Sequence, residues 1–139
     1  MPAVARTSRE AIVVAARGIL ERDGLEGLTM QAVAAAVGVR APSLYKHVAD
    51  RGRLVRLVLD ATVGELGERL RQVPPGPPSE RIVWLAHRFR SFGHEQPAAF
   101  GLLFASLPDS WRADPIANAE AVRPLIGAVA ELVGPDQVL

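Results

Sequence analysis

The chain has 139 residues, no cysteine and a formal net charge of +1. With 49% hydrophobic and 22% charged residues, it holds enough apolar surface for a packed core, which excludes an intrinsically disordered chain. The missing cysteines exclude disulfides and thiolate metal sites and make an intracellular home the simplest reading. No apolar run approaches the roughly 20 residues of a membrane span, and the N-terminus does not resemble a signal peptide.

The charge is unevenly spread. Residues 1–60 carry nine Lys/Arg against six Asp/Glu, for +3, and residues 61–139 carry seven against nine, for −2. Between Gly38 and Leu59, Arg40, Lys46, Arg51, Arg53 and Arg56 face only Asp50. A local basic excess in a near-neutral chain points to a polyanion contact, against the plainer alternative of a solvated helix face.

Every periodic segment reads as helix. After a loose arm over residues 1–6, Thr7 and Glu10 form a capping box for a first helix that runs to about Asp23 and stops at Gly24. Thr29 caps a short second helix, about Met30 to Val37, with Leu28 and Val33 placed as a hydrophobic staple; Gly38 ends it. A third helix starts near Ala41 or Pro42 and ends near His47. Asp50 caps a fourth, Arg51 to about Arg71, whose buried side is expected to be Leu54, Leu57, Val58, Ala61, Leu66 and Leu70. Gly64 and Gly67 lie within it, where they permit close packing or bending. Four prolines in the five residues 74–78 make a stiff connector. Ser79 then caps a fifth helix to Glu95 with Ile82, Leu85, Ala86, Phe89 and Phe92 inward. Pro97 opens a short sixth helix, and a loop holds Pro108 and Trp111. A seventh helix starts at Asp114-Pro115 with Val122, Leu125, Ile126, Val129 and Leu132 as its apolar set. Pro124 predicts a kink or split in it, and Gly134-Pro135 ends it.

Two short helices joined by Gly38-Val39-Arg40 make a helix-turn-helix pattern. Gly38 supplies the left-handed turn, Val33, Ala34 and Val37 supply packing, and Leu44 is expected in the core. Ala41, Pro42, Ser43, Tyr45, Lys46 and His47 give the third helix the small start and hydrogen-bonding groups that a major groove admits.

Leu28-Thr29-Met30, Val33-Ala34, Val37-Gly38-Val39, Leu44-Tyr45-Lys46-His47, Asp50-Arg51 and Leu54 together resemble the DNA-binding domain of the TetR family of bacterial transcriptional regulators, over about residues 8–60. The resemblance implies that Tyr45 contacts the DNA backbone and that Lys46 and His47 approach phosphates or bases. It also implies a cap and phosphate contact for Thr29 and a phosphate fork for Arg51. There are departures. Arg40 stands where serine is frequent, Ala41-Pro42 replaces a glycine-containing pair, Val48 replaces an aromatic residue, and Gly52 stands where an acidic residue is common. DNA contacts are therefore expected from Thr29, Arg40, Ala41, Pro42, Ser43, Tyr45, Lys46, His47 and Arg51.

The expected fold is all-α: a three-helix DNA-binding head joined by a long helix to a helical regulatory core. Residues 1–60 form the head, with the fourth helix continuing to about 72. Residues 73–78 connect, and residues 79–139 form a ligand-binding and dimerisation domain, expected to be incomplete because the family ends with two further helices. The resemblance implies a cytoplasmic, homodimeric repressor on a near-palindromic double-stranded operator, released by an apolar or amphipathic small molecule. Trp84, His87, Arg88, Phe92, Phe100, Phe104 and Trp111 are the residues expected at its pocket, although such aromatic residues more often form plain core. His87 and His94 are seven residues apart with no third ligand, so no metal or cofactor is expected. No Gly-x-Ser-x-Gly elbow or phosphate-binding glycine loop supports an enzyme. The competing readings are a helical protein-interaction module, and an activator or nucleoid-type DNA binder without ligand control.

Overall fold

The computed structural model describes residues 8–134, which form seven α-helices and one 3-10 turn, with no strand among the described residues. α1 spans Arg9–Gly27, α2 Met30–Val37, α3 Ala41–Tyr45 and α4 Arg51–Leu70. α5 spans Pro78–Glu95, α6 Pro97–Leu102 and α7 Pro115–Val133, with the 3-10 turn at Asp109–Trp111 between the last two. No helix among the described residues is long and apolar enough to cross a membrane.

Local chemistry sets the head's boundaries. Thr7 lies outside the described residues, and the α1 cap is Ser8, whose Oγ accepts from the Ala11 N–H. Gly24 breaks α1 at φ 75°, and one further turn follows it. Thr29 Oγ1 accepts from the Ala32 N–H to start α2, and Gly38 ends that helix in the left-handed region at φ 77°, ψ 29°. α3 is two residues shorter than its sequence predicts. Its last turn tightens through His47 and Val48 N–H groups that share the Leu44 carbonyl. Asp50 Oδ1 accepts from the Arg53 N–H and starts α4 as expected.

One apolar cluster fills the head. Ile12, Leu28, Val33, Leu44, Leu54 and Val58 are all fully buried, and Val48 occupies the place expected for an aromatic residue at 5% exposure. The same cluster continues into Ala99, Ala113 and Ala121 of the remainder. α4 is therefore buried on two sides. Val55, Leu59, Thr62 and Val63 join the buried set, while Leu57 and Ala61 are only partly covered. A second cluster joins Leu66 and Leu70 of α4 to Leu85 and Phe92 of α5 and Ala128 of α7. Arg17 pairs with Glu65 at 2.9 Å, Glu65 with Arg69 at 3.2 Å, and Arg69 with Glu95, a chain of charges across α1, α4 and α5.

The second half departs from expectation in several places. α5 begins at Pro78, so Ser79 lies inside its first turn and caps nothing; Pro77 precedes it without a side-chain cap. Ala86 is exposed rather than inward. α7 runs unsplit through Pro124, and only Ala121 and Ala128 are buried in it. Ile126 and Leu132, two of its apolar set, are 49% and 55% exposed. Small residues win the contact because the helices approach closely: a Cβ on Gly67 would lie 3.3 Å from the Ala121 Cα. Gly64, in contrast, has nothing near it.

Candidate nucleic-acid interface

α2 buries Val33 and Ala34, the turn at Gly38 redirects the chain, and α3 seats Leu44 at 0% exposure. That single buried anchor leaves the rest of a five-residue helix exposed or half-buried. Tyr45 is 51% exposed, and Arg40, Pro42, Lys46 and His47 are exposed, with Ala41 and Ser43 half-buried beside them. Arg40 precedes α3 without a side-chain cap. Neither Arg40 nor Lys46 forms an ion pair among the described residues. The face thus offers hydroxyl, phenol, imidazole and cationic donors with no competing carboxylate pair. Thr29 is exposed at the start of α2 and accepts a backbone N–H with its hydroxyl, so its own hydrogen is left to donate.

Arg51 is engaged differently from the phosphate fork expected of it. Its Nε donates to the Leu28 carbonyl at 2.8 Å and its Nη2 to the Leu25 carbonyl at 2.6 Å. The guanidinium also lies 5.2 Å from the centre of the Trp111 ring. The carbonyls that end α1 carry partial negative charge, which attracts a cation as a phosphate would.

Trp111 rests on Gly52. A Cβ at position 52 would fall 2.3 Å from the indole Nε1, so only glycine admits the ring there. This explains why the acidic residue common at that position is absent. Two more contacts tie head to remainder. The Glu21 carboxylate accepts from the Ala98 and Ala99 N–H groups at 2.8 and 2.9 Å, where α6 presents its unsatisfied donors. Asp60 Oδ1 accepts from the Asp114 N–H at 2.8 Å. Sequence reasoning missed these ties because 54 to 78 residues separate the partners and no short-range pattern marks them.

Among the described residues, the side chains expected at a ligand pocket are spread over separate contacts. Phe89, Phe92, Phe100 and Phe104 fill space against one another in edge-to-face pairs, with Phe89–Phe100 at 5.0 Å and Phe100–Phe104 at 5.2 Å. Arg88 stacks on Trp84 at 5.0 Å, His87 is exposed, and Trp111 belongs to the Gly52 contact. A cavity of about 340 Å³ lies elsewhere, between α4, α6 and the start of α7. Leu59, Leu102 and Leu103 line it with Arg56, Arg112 and Asn118. The aromatic side chains signalled apolar surface, but their spacing could not say that they would satisfy each other.

Residues 12–56 match the family model of bacterial regulatory proteins of the tetR family. The chain is 32% identical over 105 residues to an uncharacterized HTH-type transcriptional regulator of Mycobacterium tuberculosis, a match covering 75% of this chain and 48% of that protein. It is 36% identical over 63 residues to the class D tetracycline repressor protein of Escherichia coli, covering 45% of this chain and 27% of that one. It thus spans about half the length of the first relative and about a quarter of the second. A solved structure of a protein with unknown function from Rhodococcus sp. RHA1 shares the fold with a TM-score of 0.77 and 20% identity, covering 94% of this chain and 71% of that one. By the family model matched over residues 12–56 and by these relatives, the chain carries the DNA-binding domain of the TetR family of bacterial regulatory proteins.

Proposed function

We propose that the protein is a sequence-specific, double-stranded DNA-binding transcriptional regulator that acts in the cytoplasm as a homodimer and represses until a small molecule releases it. It works by binding and not by catalysis. The observation that carries this reading is the outward face of α3, where Tyr45, Lys46 and His47 are exposed while Leu44 alone holds the helix to the core. A short helix held by one anchor can enter a major groove along most of its surface. Two heads spaced about 34–36 Å apart, or a multiple of that, would read a near-palindrome. Tyr45 and Thr29 position the backbone, and Arg40, Ala41, Pro42, Ser43, Lys46 and His47 face the groove and its rims.

The effector reading is supported by the cavity of about 340 Å³ between α4, α6 and α7. Its mixed lining suits an amphipathic small molecule, apolar on Leu59, Leu102 and Leu103 and polar near Arg56, Arg112 and Asn118. An occupant would touch the helix that leaves the head and the segment that carries Trp111. It would therefore bind two head orientations unequally, and that differential affinity is what shifts the population between them.

In vitro selection from random duplex DNA at moderate salt tests the reading. Enrichment of a two-fold-symmetric site is the expected result, and Tyr45→Ala should weaken binding to it while leaving helicity unchanged. A folded protein that enriches nothing would replace this reading with that of a helical interaction module.

A further inference from the structure

A second basic surface adjoins the end of α3. A cleft of about 370 Å³ is lined by Arg9 at the start of α1, His47 and Val48 after α3, and Arg53, Arg56 and Asp60 along α4. Asp60 is its one carboxylate, and that group is already engaged. Its Oδ2 lies 3.6 Å from Arg56 and its Oδ1 accepts from the Asp114 N–H. Asp50, next in sequence to the cleft, holds the Arg53 backbone N–H as the cap of α4. Arg9 and Arg53 are both exposed, and neither has an ion pair among the described residues. The cleft therefore holds two uncompensated guanidinium groups, with the exposed imidazole of His47 among its lining residues.

We infer that Arg9 and Arg53 each bind a backbone phosphate of the duplex beside the groove that α3 enters, with His47 where the two surfaces meet. The inference rests on the DNA-binding reading above. Charge complementarity selects the occupant: a guanidinium pair at an open rim matches a phosphate chain. Arg51, the neighbouring cation that the sequence offers for this work, has its Nε and Nη2 on the Leu25 and Leu28 carbonyls. Arg53 lies two residues further along α4, about 200° round the helix from Arg51 and on its exposed side, and so meets a different stretch of the duplex backbone.

Salt dependence of binding to the selected duplex is the test, because each neutralised phosphate contributes about 0.9 to the slope of log K against log salt. Arg9→Gln and Arg53→Gln should each reduce the slope by about 1, and the double variant by about 2. The affinity ratio of parent to single variant should then change about three- to fourfold between 50 and 200 mM salt. Arg53→Lys should keep the parental slope, and thermal unfolding should be unchanged in all these exposed-site variants. A parental slope in the double variant, with the parent binding normally, overturns the inference and leaves the DNA-binding reading standing. Displacement of the duplex by submillimolar inorganic phosphate from the parent but not the double variant overturns it in favour of a small-anion site. A parent that binds no duplex overturns both readings.

Discussion

The head and the helices that follow it close their apolar surfaces in opposite ways. Between Ile12 and Leu59 the chain buries branched aliphatic side chains almost completely around one centre. α7 has nineteen residues, yet it buries only two alanines and leaves Ile116, Ile126, Leu132 and Val133 between 46% and 72% exposed. The head is stabilised by the volume it removes from water. α7 is held by close backbone approach at Ala121, by Ala128 packed into the second apolar cluster and by an ion pair between Arg81 and Glu131. Substitutions should therefore matter very differently in the two regions.

The largest effect is expected at the centre of the head. Leu54→Ala should cost about 2–5 kcal/mol in chemical denaturation, since the side chain is fully buried and the cavity cannot refill. Gly52→Ala comes next, at about 1–3 kcal/mol, because the new methyl meets the Trp111 ring. The same change in a Trp111→Ala background should be close to neutral, and a double-mutant cycle that finds no coupling would remove the junction from the account. Arg51→Gln should destabilise by about 1–3 kcal/mol through the unpaired Leu25 and Leu28 carbonyls, with the salt slope of DNA binding unchanged.

How far each region can be read in advance follows the range of the forces that shape it. Thr29, Gly38 and Asp50 act on backbone groups within four residues, so the bounds of α2 and the start of α4 follow from the sequence alone. Leu44 was placed in the core by its position opposite the polar face of α3, and it is buried. α7 resisted because alanine, valine, leucine and isoleucine surround most of its circumference. Periodicity then favours no face, and the neighbouring helix decides. Ser79 has the chemistry of a cap, but Pro78 fits the first helical turn, and α5 starts two residues earlier than a Ser79 cap would set it. The exposure of Pro42, Tyr45, Lys46 and His47 follows from their place opposite Leu44, while Ala41 and Ser43 are half-buried. The inward reach of Arg51 was not, because its acceptors lie 23 and 26 residues away and are backbone carbonyls.

Two smaller effects sharpen the contrast. Thr29→Ala should cost about 1 kcal/mol by stripping the Ala32 N–H of its acceptor. Ile126→Ser, on the uncovered side of α7, should move the unfolding midpoint least, within about 0.5 kcal/mol. A loss comparable to that of Leu54→Ala would mean that the isolated chain covers that face in solution.

The seat of Trp111 on Gly52 also governs how this protein can be rebuilt. Hybrid regulators join the DNA-binding head of one protein to the core of another. A donor head with an acidic side chain at position 52 would drive a carboxylate into the space the indole fills. Such a hybrid would be assembled from two sound halves and still fit badly at the join. Keeping Gly52 in the incoming head, or trimming Trp111 in the receiving core, is the condition for exchanging heads on this scaffold.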